Sequence, residues 1–191
     1  MVASIFEGRM PQLIVFDLDY TLWPLWIDTH VTGPLRRDGD ELNRIVDRYD
    51  EEIAMYQDVP SILRRLQRTP NVKLALASRT HAPGLARRAL ELLLIPPLEN
   101  DVGEPIAAKK FFHYEEIYPG SKLKHFKSLH HTTKIPYEEM LFFDDEPRNR
   151  EVESLGVTFT LVKNGLTLNV FESGINQWRK LHPINPQSSD S

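Results

Sequence analysis

Four apolar-rich runs punctuate this chain, and each gives way abruptly to polar residues: residues 12–17, Val72 to Ala77, residues 139–143 and Val157 to Val162. Runs of this kind predict strands buried on both faces of a parallel sheet. Between them the apolar spacing lengthens to that of helices. Asp58 is placed to cap a helix opened near Pro60, with Ile62, Leu63 and Leu66 as its stripe. Pro83 opens a second, carrying Leu85, Leu90, Leu93 and Leu94. Ser121 to Leu129, the segment after Pro147, and Leu168 to Leu181 complete the set. Strand–helix alternation predicts an α/β fold: a doubly wound parallel sheet with helices on both faces, Rossmann-like. Residues 1–182 are expected to form a single domain, and the polar, proline-containing residues 183–191 a disordered tail.

The segment from Thr21 to Gln57 breaks the alternation. It opens on aromatics and closes on the charged run Arg36 to Glu52. Its first part is expected to be a small β-flap after the first strand, and its second part a helix or mobile loop with a solvated face. So short a segment has little room for a core of its own, so no large cap domain is expected.

Chemistry is expected where strands end, because open α/β sheets bind ligands at their carboxyl edge. There the chain places Asp17 and Asp19, which period-2 alternation starts on the same side. The second strand ends in Ser78-Arg79-Thr80 and the third in Asp144-Asp145, while Gly120-Ser121-Lys122 opens a helix. There is no cysteine, which excludes disulfides, Cys-zinc sites and a cysteine nucleophile. A net charge of −4 argues against a nucleic-acid partner. No apolar stretch approaches a membrane span, and residues 1–10 lack the apolar core of a secretory signal. An intracellular, cytoplasmic location is therefore expected, with the nucleus left open.

Four ordered segments resemble the signature of the haloacid dehalogenase superfamily of phosphatases. They are Asp17-Leu18-Asp19-Tyr20-Thr21-Leu22, Ala77-Ser78-Arg79-Thr80, Gly120-Ser121-Lys122 and Leu141-Phe142-Phe143-Asp144-Asp145. The surrounding residues Trp23-Pro24, Trp26, Asp28-Thr29-His30, Ile117-Tyr118-Pro119 and Glu146 resemble the magnesium-dependent phosphatase 1 family within it. The resemblance covers roughly residues 11 to 170.

That resemblance implies a Mg²⁺-dependent hydrolase of phosphate monoesters, working through an aspartyl-phosphate. It makes Asp17 the nucleophile and Asp19 the general acid, then base. Lys122 and Ser78 would hold the phosphoryl group, and Arg79 an anionic part of the substrate. The metal ligands would be Asp17, the backbone carbonyl of Asp19, and Asp145; Asp144 is ambiguous between ligand and support, and Thr21 is a supporting residue. Aryl phosphates or protein phosphotyrosine are the implied substrates, with sugar phosphates and phosphoserine as alternatives, and the chain is expected to act as a monomer. Tyr20, Trp23 and Trp26 are candidates for a wall against a substrate ring, although both tryptophans are more readily read as packing. His125, His130 and His131 are read as solvated. A signalling receiver domain also uses an acid pair, an acceptor Asp, a hydroxyl and a Lys, but there the acid pair comes first; here it comes last.

Overall fold

The computed structural model describes residues 4–99 and 101–183. Its strands are β1 (Leu13–Phe16), β2 (Arg36–Arg37), β3 (Ile45–Val46), β4 (Glu52–Ile53), β5 (Lys73–Ser78), β6 (Leu94–Ile95), β7 (Ile106–Ala107), β8 (Tyr114–Ile117), β9 (Met140–Asp144) and β10 (Thr158–Leu161). Its helices are α1 (Ile27–His30), α2 (Val59–Gln67), α3 (Pro83–Leu92), α4 (Lys122–Thr133) and α5 (Leu168–Leu181). The central sheet is parallel, in the order β10-β9-β1-β5-β8. The chain builds outward from β1 on one side, then crosses over to β9 and builds outward on the other. The gap between β1 and β9 is thus the switch point of the sheet, where such folds bind ligands.

Each strand divides its side chains between two cores, because successive residues point to opposite faces. Leu13, Val15, Ala75, Ala77, Met140 and Phe142 pack with Phe126 and Leu129 of α4. Ile14, Phe16, Leu74, Leu76, Leu141 and Phe143 pack with α2, α3 and α5. On that face Gly174 lets α5 lie close to the sheet: a Cβ there would sit 2.6 Å from the ring of Phe143. The expected doubly wound architecture is what forms.

Several local expectations are corrected. The run Arg36 to Glu52 is neither a helix nor a loop. β2, β3 and β4 pair antiparallel within and just beyond it, and Leu35, Ile45, Ile53 and Met55 are buried in the same core as Ile14 and Phe16. The flap strands therefore lie in the second part of the insertion, and its first part holds the single turn α1. Because the insertion shares the main core, it forms no separate cap. Asp58 does not cap its own helix; its Oδ2 accepts from the backbone N–H of Leu168 at 2.8 Å, at the start of α5. β8 has no counterpart in the sequence reading, because an edge strand of sequence Tyr-Glu-Glu-Ile carries no apolar run. The segment after Pro147 is a 3₁₀ helix, Pro147–Leu155. The expected tail lies outside the described residues except for Pro183. Among the described residues no helix is long and apolar enough to cross a membrane.

Candidate active site

Asp17 follows β1 directly, and its N–H still donates to the carbonyl of Phe143 on β9 at 2.9 Å. The backbone then turns sharply: Thr21 and Leu22 donate back to Leu18, and Tyr20 takes a left-handed φ of 55°. A non-glycine residue in that region costs about 1–3 kcal/mol, which the surrounding turn must supply. The turn returns Asp19 to the sheet edge. Its Oδ1 accepts from the Trp23 indole at 2.7 Å and from the N–H of Ile27 at 3.3 Å. Trp23 is fully buried and so belongs to the core, holding Asp19 from behind, while Trp26 is 49% exposed and lines the pocket. The two tryptophans therefore have different roles.

Lys122 is the first residue of α4, whose N-terminus Ser121 caps by accepting from the N–H of Lys124 at 3.3 Å. Its side chain is 1% exposed. The ammonium donates to Asp17 Oδ1 at 2.6 Å and to the carbonyl of Ala77, and it lies 2.9 Å from Asp144 Oδ2. Asp144 is fully buried and saturated with donors. Asn149 Nδ2 reaches both its oxygens at 2.8 and 2.9 Å, and the N–H of Glu146 reaches Oδ1 at 2.8 Å. Asp144 thus stands behind Lys122, away from the pocket.

The electrostatics leave a deficit of positive charge. One ammonium faces two buried carboxylates, so Lys122 stays protonated: burial opposes its charge, but Asp17 and Asp144 outweigh it. Burial, and after it the neighbouring Asp144, push the Asp17 carboxyl up, with Lys122 pulling back. Burial also raises Asp19 to about 6. Asp145 rises to about 7 through burial and the like charges of Asp144 and Glu146.

A pocket of about 190 Å³ opens over these groups. Of the site residues read from the sequence, Asp17, Asp19, Ser78, Arg79, Lys122 and Asp145 line it. Asp144 and Thr21 do not; both are fully buried, and Thr21 Oγ1 has no hydrogen-bond partner among the described residues. Arg79 is half-buried and donates to Asn149 Oδ1 at 3.3 Å. The sequence reading missed Asn149, which joins Arg79 to Asp144, and the carboxylate Asp28, which accepts from Thr80 Oγ1 at 3.2 Å and from the N–H of His81 at 2.9 Å. Asp28 lay inside a quoted segment, but nothing local marks a helical Asp as the tether of a loop 53 residues away. His125 is also corrected. It is fully buried, bonded through Nε2 to the carbonyl of Tyr118 at 3.0 Å, and burial lowers its pKa to about 4.

The site has the form of a phosphoryl-transfer centre, and residues 9–181 match the family model described as acid phosphatase. The chain belongs to the acid phosphatase family. Curated relatives of this acid phosphatase family member agree. It is 48% identical to a HAD-like hydrolase superfamily protein of Schizosaccharomyces pombe, covering 90% of this chain and 96% of that one. It is 42% identical to the Homo sapiens protein named magnesium-dependent phosphatase 1, over 91% of this chain and 90% of that one. Among solved structures, a haloacid dehalogenase-like hydrolase from Xanthomonas campestris shares the fold with a TM-score of 0.57 at 10% identity, covering 91% of this chain and all of that one. A phosphatase domain from Bacteroides fragilis does so with a TM-score of 0.52 at 15% identity, covering 91% of this chain and 40% of that one.

The donors facing the pocket fit a hard cation. The residues Asp17, Asp19 and Asp145 line it and carry carboxylates, and the charge deficit around them calls for positive charge. Among the described residues no group of three or more His, Cys, Asp or Glu is placed to cage a metal. An all-oxygen set of carboxylates, not closed into a cage, leaves positions for water and substrate, the pattern that suits Mg²⁺ and not structural zinc.

Proposed function

We propose that this chain is a Mg²⁺-dependent phosphate monoester hydrolase that works through a phosphoryl-aspartate on Asp17, with aryl phosphates or protein phosphotyrosine as substrates. The observation that carries this is Asp17 itself: a carboxylate at the switch point, fastened through Oδ1 to a buried ammonium 105 residues away and lining an open pocket. The names of the human relative and of a putative magnesium-dependent phosphatase from Saccharomyces cerevisiae, 36% identical, support the metal requirement.

In this scheme an Asp17 oxygen attacks phosphorus and the ester P–O bond breaks. Asp19, whose carboxyl burial raises to about 6, gives its proton to the leaving oxygen from its protonated form. It then accepts a proton from the water that cleaves the acyl phosphate, restoring Asp17 and releasing phosphate. Lys122 and Ser78 hold the phosphoryl oxygens, and Arg79 an anionic group beside them. Asp17, Asp145 and the Asp19 carbonyl would hold Mg²⁺, which when bound offsets the repulsion between the carboxylates and the ester. Asp144 acts through Lys122. The exposed ring of Trp26, 5.3 Å from that of Tyr20, favours a ring-bearing leaving group over a sugar or seryl one. The protein acts as a monomer in this reading. Turnover of an aryl phosphate with Mg²⁺ and with chelator tests the proposal; metal-independent turnover overturns it.

Ligand and support are separable at the acid pair. Asp145→Ala should fold normally and need far more Mg²⁺ for half-maximal activity. Asp144→Ala leaves Lys122 with Asp17 as its counter-ion but deprives Asn149 Nδ2 and the Glu146 N–H of their acceptor, and should lose about 1–3 kcal/mol of stability. Denaturant titration and Mg²⁺ titration of both variants check this; the reverse pattern would reassign the ligand.

The raised pKa of Asp145 gives a stability signature. Its folded value of about 7 lies above the ordinary 3.8, so the metal-free fold binds this proton more tightly than the unfolded chain does. That contribution is lost as pH rises from about 4 through about 7. Protons also compete with the cation. The rise in Tm on adding saturating Mg²⁺ should therefore be larger at pH 8 than at pH 5.5, as differential scanning calorimetry would read. An equal rise at both values would contradict it.

A further inference from the structure

Resting on the phosphatase reading, we propose that the outer face of α4 is a docking surface for an acidic segment of a phosphoprotein substrate. α4 leaves the site at Lys122 with its inner face, Lys122, His125, Phe126 and Leu129, buried. Its opposite face carries Lys124, Lys127, His131 and Lys134 at steps of three, four and three residues, which is one stripe along a helix. All four are exposed, and Lys134 is the C-cap. The helix contains no acidic residue, on a chain whose net charge is −4. The ion pairs made from α4 among the described residues are those of Lys122. Lys124 Nζ lies 5.2 Å over the Tyr118 ring, so its charge stays at the surface.

Complementarity and position set the partner. The stripe begins two residues after Lys122, so a chain whose phosphorylated residue sits in the pocket reaches it within a few residues. From Lys124 to Lys134 the helix rises about 15 Å, the length of roughly five extended residues. Close to the phosphate the rim carries Asp28 and Glu146 as well as Arg79 and Arg148, so it offers no net attraction for acid there. The acidic residues are therefore expected a few positions away from the phosphorylated one. The overall negative charge disfavours nucleic acid as the occupant.

The test compares phosphotyrosine peptides carrying five glutamates, spaced four neutral residues before or after the phosphotyrosine, with glutamine counterparts. In low salt at least one glutamate peptide should show kcat/KM about tenfold above its counterpart, as expected for several exposed charge pairs. The K124E/K127E/K134E variant, and salt near 0.5 M, should remove that advantage while leaving p-nitrophenyl phosphate turnover unchanged. Equal rates for glutamate and glutamine peptides would overturn the docking surface. So would selective loss by the variant of binding to RNA or to anionic vesicles, with peptide discrimination intact. Fluorescence anisotropy of the labelled peptides reads docking without turnover. Loss of all p-nitrophenyl phosphate activity would thus count against the phosphatase reading alone.

Discussion

Asp17→Asn is expected to leave the protein folded and to slow aryl phosphate turnover by roughly 10⁴-fold or more, because it removes the attacking atom itself. The fold should survive for a specific reason. Asparagine keeps the volume and a hydrogen-bonding oxygen, and Lys122 retains Asp144 at 2.9 Å as its counter-ion. Removing one of two carboxylates that share a single ammonium also relieves the repulsion that pushes Asp17 up. Tm in chelator should thus equal or exceed that of the wild type. Rapid-quench labelling with a ³²P-phosphate ester should show acid-stable phosphoprotein in the wild type and none in the variant. Near wild-type turnover by Asp17→Asn would sink the covalent scheme.

The second large effect is at Lys122, where catalysis and stability move together. Lys122→Met removes a preorganised donor to the phosphoryl group, a loss of about 10²–10³-fold in kcat. It also leaves Asp17 and Asp144 buried without a cation, which costs about 3–5 kcal/mol at neutral pH. The penalty should shrink on acidification, since protonation removes the unpaired charge. Urea denaturation at pH 5 and pH 8 separates the possibilities: a stability deficit that is the same at both values would mean that lost packing, not lost charge, dominates. A lysine that served only as surface would show neither effect.

Much of the fold was legible because it is encoded locally. An apolar run ending in a carboxylate reports both a buried strand and its carboxyl end; residues 12–17 and 139–143 were read on that basis, and they form Leu13–Phe16 and Met140–Asp144. The order of the segments then predicted a doubly wound sheet. β8 escaped because an edge strand needs only one partner and tolerates glutamates, and β2 to β4 because strands of two residues have no period to detect. The burial of His125 was hidden by Lys124 and Lys127 beside it in sequence, which are exposed, while His125 shares the buried face of α4 with Lys122 and Phe126.

What the sequence determined by itself was the set of reactive groups and their shared edge: Asp17, Asp19, Ser78, Arg79, Lys122, Asp144 and Asp145 each stand at or beside the end of an element. Pairing among them was decided only by the crossovers. Lys122 chose Asp17 and Asp144, Asn149 closed the far side of Asp144, Asp58 served α5 and not α2, and of two nearby tryptophans one was buried behind Asp19 and the other left at the pocket. Local periodicity specifies which face a residue takes. The partner on that face depends on where strands distant in sequence settle in register, and that is set by the packing of the whole sheet.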